Sequence, residues 1–235
     1  MNDLTIIYYS SNAIPDYFME NTKKQLLVAA GDTPIISVSF KPMDLGVNIC
    51  VGELERSSYM IYNQILIGAR AATTEYVATA EDDVLYPKGY FDYRPAKDVF
   101  AYDMNKWSIY TWDVVPVLLY KNRRTMTHLI VTREALIKTL EERYAKYPNV
   151  GDVIGTRIHS LFGEPGRFEN SLGITPVSNE RYVSPVPSVV FSTEQAVGFS
   201  NLGKKKAHRG IRADAIEPWG TAQEIMNYYR PNQSV

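Results

Sequence analysis

Short apolar runs alternate with amphipathic stretches from the start of the chain. Leu4 to Tyr9 is continuous and rich in β-branched and aromatic side chains, which predicts a buried strand. After a polar Ser10-Ser11-Asn12 turn, Pro15-Asp16 marks a helix start, and the helix runs from Asp16 to Ala30, where Gly31 stops it. Pro34 to Phe40 predicts a second strand. A loop holding Pro42 and Gly46 leads to a short third strand, Val47 to Val51. Ser57 then caps a helix running to about Ala72, with Tyr59, Ile61, Tyr62, Ile65, Leu66 and Ala69 on its apolar faces. Tyr76 to Ala80 is a further buried strand. The order β-α-β-(β)-α-β is the opening of a nucleotide-binding α/β fold.

The pattern changes after this point. Asp98 to Tyr102, Ser108 to Trp112 and Val114 to Tyr120 read as strands, the last at a sheet edge because it holds Pro116. Lys121 to Arg124 is a polar turn, and His128 to Val131 is another strand. Thr132 caps a helix from Arg133 to about Tyr147, and Val153 to about Phe162 predicts a last helix. Strands this close together imply an antiparallel extension beside the parallel core. From Gly163 onwards the chain is loop-rich, with one expected strand at Ser188 to Ser192.

Composition narrows the function classes. A net charge of −1 gives no global attraction to nucleic acid or an anionic membrane. The single cysteine, Cys50, excludes an internal disulfide framework and fits a reducing compartment, so a cytoplasmic location is expected. The N-terminus shows no basic region followed by an apolar one, and no apolar run is long enough to span a membrane. Neither GxGxxG nor GxxxxGK[ST] occurs, which argues against a nicotinamide cofactor and a P-loop. The stretch Tyr8-Tyr9-Ser10-Ser11-Asn12, at the end of the first strand, could hold a base and ribose by stacking and hydroxyl contacts, with Tyr8 and Ser10 as the candidates; as a strand and turn they need no such role.

The candidate chemistry centres on Glu81, Asp82 and Asp83, directly after the Tyr76–Ala80 strand. Ligands of open α/β sheets bind just outside the carboxyl ends of strands. Three carboxylates there repel one another, and a divalent cation would offset the repulsion. The same triplet on a solvated loop would need no ligand.

The segment from Ser57 to Pro87 resembles the GT-A glycosyltransferases of the family 2 type. The shared features are Asn63 on the helix, Ala71-Ala72 at its end, and a strand closing in Glu81-Asp82-Asp83 before Pro87. The resemblance covers roughly residues 4–90. It implies one Rossmann-type α/β domain over 1–235, with a nucleotide-sugar half at 1–95 and an acceptor half at 96–235. It also implies Mn²⁺ or Mg²⁺ on Glu81 and Asp83, and a nucleoside-diphosphate sugar held with help from Asn63 and Asp82. In family members an acid at the start of a helix in the acceptor half takes the acceptor's proton. Asp152 stands there, with Gly151 where the family has Glu; as a helix cap it would need no catalytic role.

A late histidine and nearby cations complete the family's donor site, which implies His208 for the metal and Lys204, Lys205 and Arg209 for the diphosphate. The same cluster could be a solvated loop or a patch for nucleic-acid phosphates. The implied activity is an inverting, metal-dependent transfer of a sugar to an acceptor hydroxyl, the acceptor being a glycan, a small molecule or a modified nucleic acid. Two rivals stand beside it. A nucleotidyltransferase shares the fold plan, but Ser10-Ser11-Asn12-Ala13 lacks that class's glycine-rich, lysine-containing loop. A nucleic-acid-binding module would use Lys121–Arg124 and Lys204–Arg212.

Overall fold

The computed structural model describes residues 3–193 and 210–230. The first half holds β1 (Leu4–Ser10), α1 (Asp16–Ala30), β2 (Ile35–Ser39), β3 (Val47–Cys50), α2 (Ser58–Ala71), β4 (Tyr76–Glu81) and β5 (Val84–Leu85). The second holds β6 (Phe100–Asp103), β7 (Lys106–Tyr110), β8 (Leu118–Tyr120), β9 (Leu129–Thr132), α3 (Arg133–Lys146), α4 (Glu169–Leu172), β10 (Asn179–Tyr182) and β11 (Ser188–Ser192). Beyond these lie β12 (Arg212–Ala213), β13 (Ala215–Ile216), β14 (Gly220–Thr221) and α5 (Ala222–Met226).

A seven-stranded sheet runs β10-β6-β9-β4-β1-β2-β3. β1 to β4 are parallel, and β9 is antiparallel to both β4 and β6. This is a Rossmann-type α/β plan with an antiparallel extension, as the sequence pattern predicts. Side chains of β1 alternate between two cores. Leu4, Ile6 and Tyr8 pack towards Leu26, Ala29 and Ala30 of α1, whereas Ile7 and Tyr9 join the core that holds α2 and α3. The Ser57 hydroxyl accepts from Met60 N at 3.3 Å and so fixes where α2 begins, as expected of a cap.

A five-stranded sheet, β12-β8-β7-β11-β5, starts immediately beyond the acid triplet. β5 pairs antiparallel with β11, which lies parallel to β7. The triplet therefore sits where the two sheets meet. Phe18 and Met19 of α1 and Ile225 of α5 share a core with Phe191, Ile109 and Leu118 of this second sheet.

Some expected elements take other forms. Val153–Phe162 is not a helix: Gly155 has φ +79°, and Val150–Asp152 and Arg157–Ser160 are separate 3-10 turns. The strand expected from Val114 begins only at Leu118. Val114 and Val115 are 94% and 81% exposed, beside the proline that removes a ladder donor. His128 belongs to a 3-10 turn that leads into β9. The parallel pairing of β10 with β6 is not visible in the sequence pattern, because Asn179–Tyr182 is polar and half-exposed.

Candidate active site

The chain leaves β1 for β2 on one side and returns through α2 to β4 on the other. The carboxyl ends of β1 and β4 therefore form the switch point at which open α/β sheets bind ligands. Register places Tyr9 beside Glu81 across these strands. A cavity of about 630 Å³ opens here, with Tyr9, Ser10, Glu81, Asp82 and Asp83 in its wall.

Each acid has a distinct environment. Tyr9 OH donates to Glu81 Oε2 at 3.3 Å. Ser10 Oγ donates to Asp82 Oδ2 at 2.5 Å, and Thr22 Oγ1 of α1 donates to the Asp82 carbonyl at 2.8 Å. Phe191 N of β11 holds the Asp83 carbonyl at 2.8 Å. The Asp83 carboxylate atom Oδ1 is buried and has no hydrogen-bond partner among the described residues. Burial, then the neighbouring Asp83 and Asp82 charges, lifts Glu81 well above the usual carboxylate range. Burial and Asp82 do the same to Asp83. Burial raises Asp82 to about 6, against the lowering effect of the Ser10 hydrogen bond. Arg56 also acts to lower Asp82, whereas no cation figures among the causes acting on Glu81 and Asp83, and the orphaned carboxylate oxygen belongs to Asp83.

No three His, Cys, Asp or Glu side chains among the described residues form a ready-made metal cage. A Mg²⁺-type site needs no such cage, since one or two carboxylates and substrate phosphates complete it. Glu81 and Asp83 fit that donor set.

The other expected site residues divide clearly. Ser10, Glu81, Asp82 and Asp83 come together in the cavity wall. Tyr8 does not: it points to the α1 core, 1% exposed, and Tyr9 takes the cavity face instead. Period-2 alternation accounts for the exchange. Asn63 is not in the wall either. Its neighbour Gln64 is, and Nε2 donates to Ser10 O and Val38 O, both at 2.9 Å, pinning the ends of β1 and β2. Asp152 lies outside the cavity wall, exposed, and its Oδ2 accepts from Asn149 N at 2.9 Å and Asn149 Nδ2 at 3.2 Å. It caps its own turn. Lys204, Lys205, His208 and Arg209 lie outside the described residues.

Several wall residues carry no local motif. Glu164 enters from the segment before α4, with Oε2 3.3 Å from Arg167. That segment is anchored by a buried ion pair, Arg143 to Glu169 at 2.8 Å, and by Arg143 Nη1 donating to Gly163 O. Trp112 and Tyr110 present aromatic rings, and Arg56, Lys106, Lys121 and Arg123 line the same cavity. Pairing of β7 with β8 brings Lys106, Tyr110 and Lys121 together, and Arg56 and Glu164 come from loops far apart in the chain, so no local pattern groups this set. His128, next to the wall residue Thr127, is fully buried, with Nε2 2.5 Å from Ser188 Oγ. Burial, then Lys106, holds it well below the usual histidine range and so neutral.

No family model matches the chain, and no curated protein matches it. Solved structures match the chain at low identity and with TM-scores below 0.5. The glycosyltransferase GlyE of Streptococcus pneumoniae TIGR4 is 10% identical with a TM-score of 0.48; the match covers 77% of this chain and 45% of GlyE. A glycosyltransferase involved in glycosylation of the major capsid of PBCV-1 is 9% identical with a TM-score of 0.44, over 80% of this chain and 92% of that one. A nucleotidyl transferase from Methanothermobacter thermautotroptrophicus is 12% identical with a TM-score of 0.40, over 60% of this chain and 76% of that one. This chain thus spans under half the length of GlyE. At these identities and TM-scores the matches carry no argument, and any functional reading rests on the site itself.

Proposed function

We propose that the protein transfers a sugar from a nucleoside-diphosphate sugar to an acceptor hydroxyl, with inversion. One observation carries the reading: the orphaned Asp83 carboxylate oxygen beside Glu81, buried at the switch point in the wall of a 630 Å³ cavity. In this reading Glu81 and Asp83 hold a divalent cation, which when bound offsets negative charge on the departing diphosphate. Tyr9 positions Glu81, and Ser10 fixes Asp82 away from the cation so that it can face the ribose. Gln64 keeps the two strand ends in place.

Inversion needs a carboxylate that takes the acceptor proton as the anomeric carbon is attacked. Asp152 is occupied as a cap. Glu164 lines the cavity from the acceptor half, and we assign it the base. Glu164→Gln should lower turnover by about 10²–10⁴-fold with donor binding little changed. Asp152→Asn, which keeps the capping oxygen, should stay within a few-fold. The reverse ranking would return the role to Asp152.

The nucleotidyltransferase reading is less well supported, because Ser10-Ser11-Asn12-Ala13 has no glycine or lysine to cradle a triphosphate. A thermal-shift panel of nucleoside diphosphates, nucleoside triphosphates and sugar nucleotides, each with and without Mn²⁺, separates the two. Diphosphates at a hundred times their dissociation constant should add roughly 2.7 kcal/mol of stability. Stabilisation by triphosphates alone would favour the rival.

A further inference from the structure

The cavity wall carries charge of both signs. Besides Glu81, Asp82 and Asp83 it holds a set of cations, Lys106, Lys121 and Arg123, on and beside strands of the second sheet. Backbone pairing groups these cations. β7 and β8 are antiparallel, Lys121 N donates to Lys106 O at 3.1 Å, and Arg123 N donates to Lys121 O at 2.8 Å. Lys121 Nζ donates to Tyr110 OH at 2.6 Å, which turns its ammonium along the wall.

Lys106 is the unusual member. The residue is 1% exposed, yet Nζ makes one hydrogen bond among the described residues, to the Asp103 carbonyl at 2.6 Å. The Asp103 carboxylate is taken up by Ser184 N, Ser184 Oγ and Asn105 N, at 3.0, 2.7 and 2.9 Å. A buried ammonium with two unused protons is costly unless a ligand supplies the anion. Burial pulls its pKa to about 8; Asp103 and Glu164 act to raise it, and Arg123 and Arg181 to lower it. His128, which feels the Lys106 charge, is itself neutral and adds none. Thr125, Thr127 and Ser108 bring hydroxyls to the same wall.

We propose that Lys106, Lys121 and Arg123 form an anion subsite for the second substrate, so that the acceptor carries a phosphate or carboxylate group. The word acceptor rests on the transfer reading above; the anion subsite itself does not. Trp112, whose ring centroid lies 4.8 Å from that of Tyr110, gives the bound acceptor a flat face to lie against.

Calorimetric titration of metal-free protein with inorganic phosphate, and separately with acetate, tests the subsite without any donor. At least one anion should bind, more weakly above pH 8, as Lys106 loses its proton. Phosphate alone would indicate a phosphorylated acceptor and acetate alone a carboxylate; both support the subsite. Lys106→Met should weaken binding by roughly tenfold or more, and Arg123→Ala by a few-fold, from the loss of charge-assisted bonds. Arg70→Ala, an exposed arginine paired with Glu141 on the α2–α3 face, should change nothing. Failure of both anions to bind would overturn the proposal, as would unchanged affinity in a folded Lys106→Met. Should that variant not fold, unchanged affinity in Arg123→Ala, at an exposed position, would overturn it. Anion binding without any nucleotide binding would leave the subsite standing and remove the transfer reading; the opposite pair of results would do the reverse.

Discussion

Tyr9 donates to Glu81, whereas the hydroxyl of its neighbour Tyr8 is buried without a hydrogen-bond partner among the described residues. Tyr8→Phe removes an unsatisfied polar atom and should melt at the same temperature as wild type or higher, with nucleotide affinity unchanged. Tyr9→Phe should weaken metal-dependent nucleotide binding several-fold. A larger binding loss in Tyr8→Phe would contradict the assignment of faces. The sequence shows both residues in an apolar run, and nothing local says which one faces the ligand; the register of β1 against β4 decides it. Ser10 and the acids were legible, because a polar residue after a buried strand marks a carboxyl end. Lys106 was not, since it reads as an ordinary polar residue before a strand. Its folded pKa of about 8 lies below the unfolded 10.5, so the folded state binds fewer protons between those values. The stability linked to this group is present above pH 10.5 and lost as pH falls through 8. Relative to Lys106→Met, wild type should gain about 3 kcal/mol as the pH rises from 8 towards 10.5, read from denaturant melts. A constant difference across that range would mean that Lys106 is well solvated.

At the scale of elements, the helices and parallel strands of the first half follow the hydrophobic pattern closely. Each has a local signal: Gly31 ends α1, Ser57 opens α2, and the strands are short and apolar. The wall that carries Glu164 has no such signal. Gly155 at φ +79° splits the segment expected to be a helix, and what holds it is remote: Arg143 of α3 reaches Gly163 and Glu169 and packs within 5.6 Å of the Tyr62 and Phe162 ring centroids. Glu169→Ala strands the buried Arg143 charge and should cost about 3–5 kcal/mol in denaturant unfolding. It should also reduce transfer by loosening Glu164. A loss under about 1 kcal/mol, within the range of solvated pairs, would show that water reaches the pair and that the wall is held otherwise.

At the scale of the whole molecule, two sheets meet at three consecutive acids. The parallel sheet delivers Glu81 to the switch point, and β5 carries the chain from Asp83 directly into the second sheet, whose far strands bring the cations. The acids were legible in sequence because one strand and its following loop contain them. The cation set depends on β7, β8 and β11 pairing across long stretches of chain. Among the described residues no helix is long and apolar enough to cross a membrane. The claim that Asp83 and Glu81 hold a cation that recruits a nucleoside diphosphate is tested most directly by calorimetry. Wild type and Asp83→Ala would each be titrated with nucleoside diphosphates, with Mn²⁺ and with chelator. The account predicts Mn²⁺-dependent binding in wild type and none in the variant, both proteins melting cooperatively. Equal Mn²⁺-dependent affinity in Asp83→Ala, or binding indifferent to the metal in wild type, would contradict it.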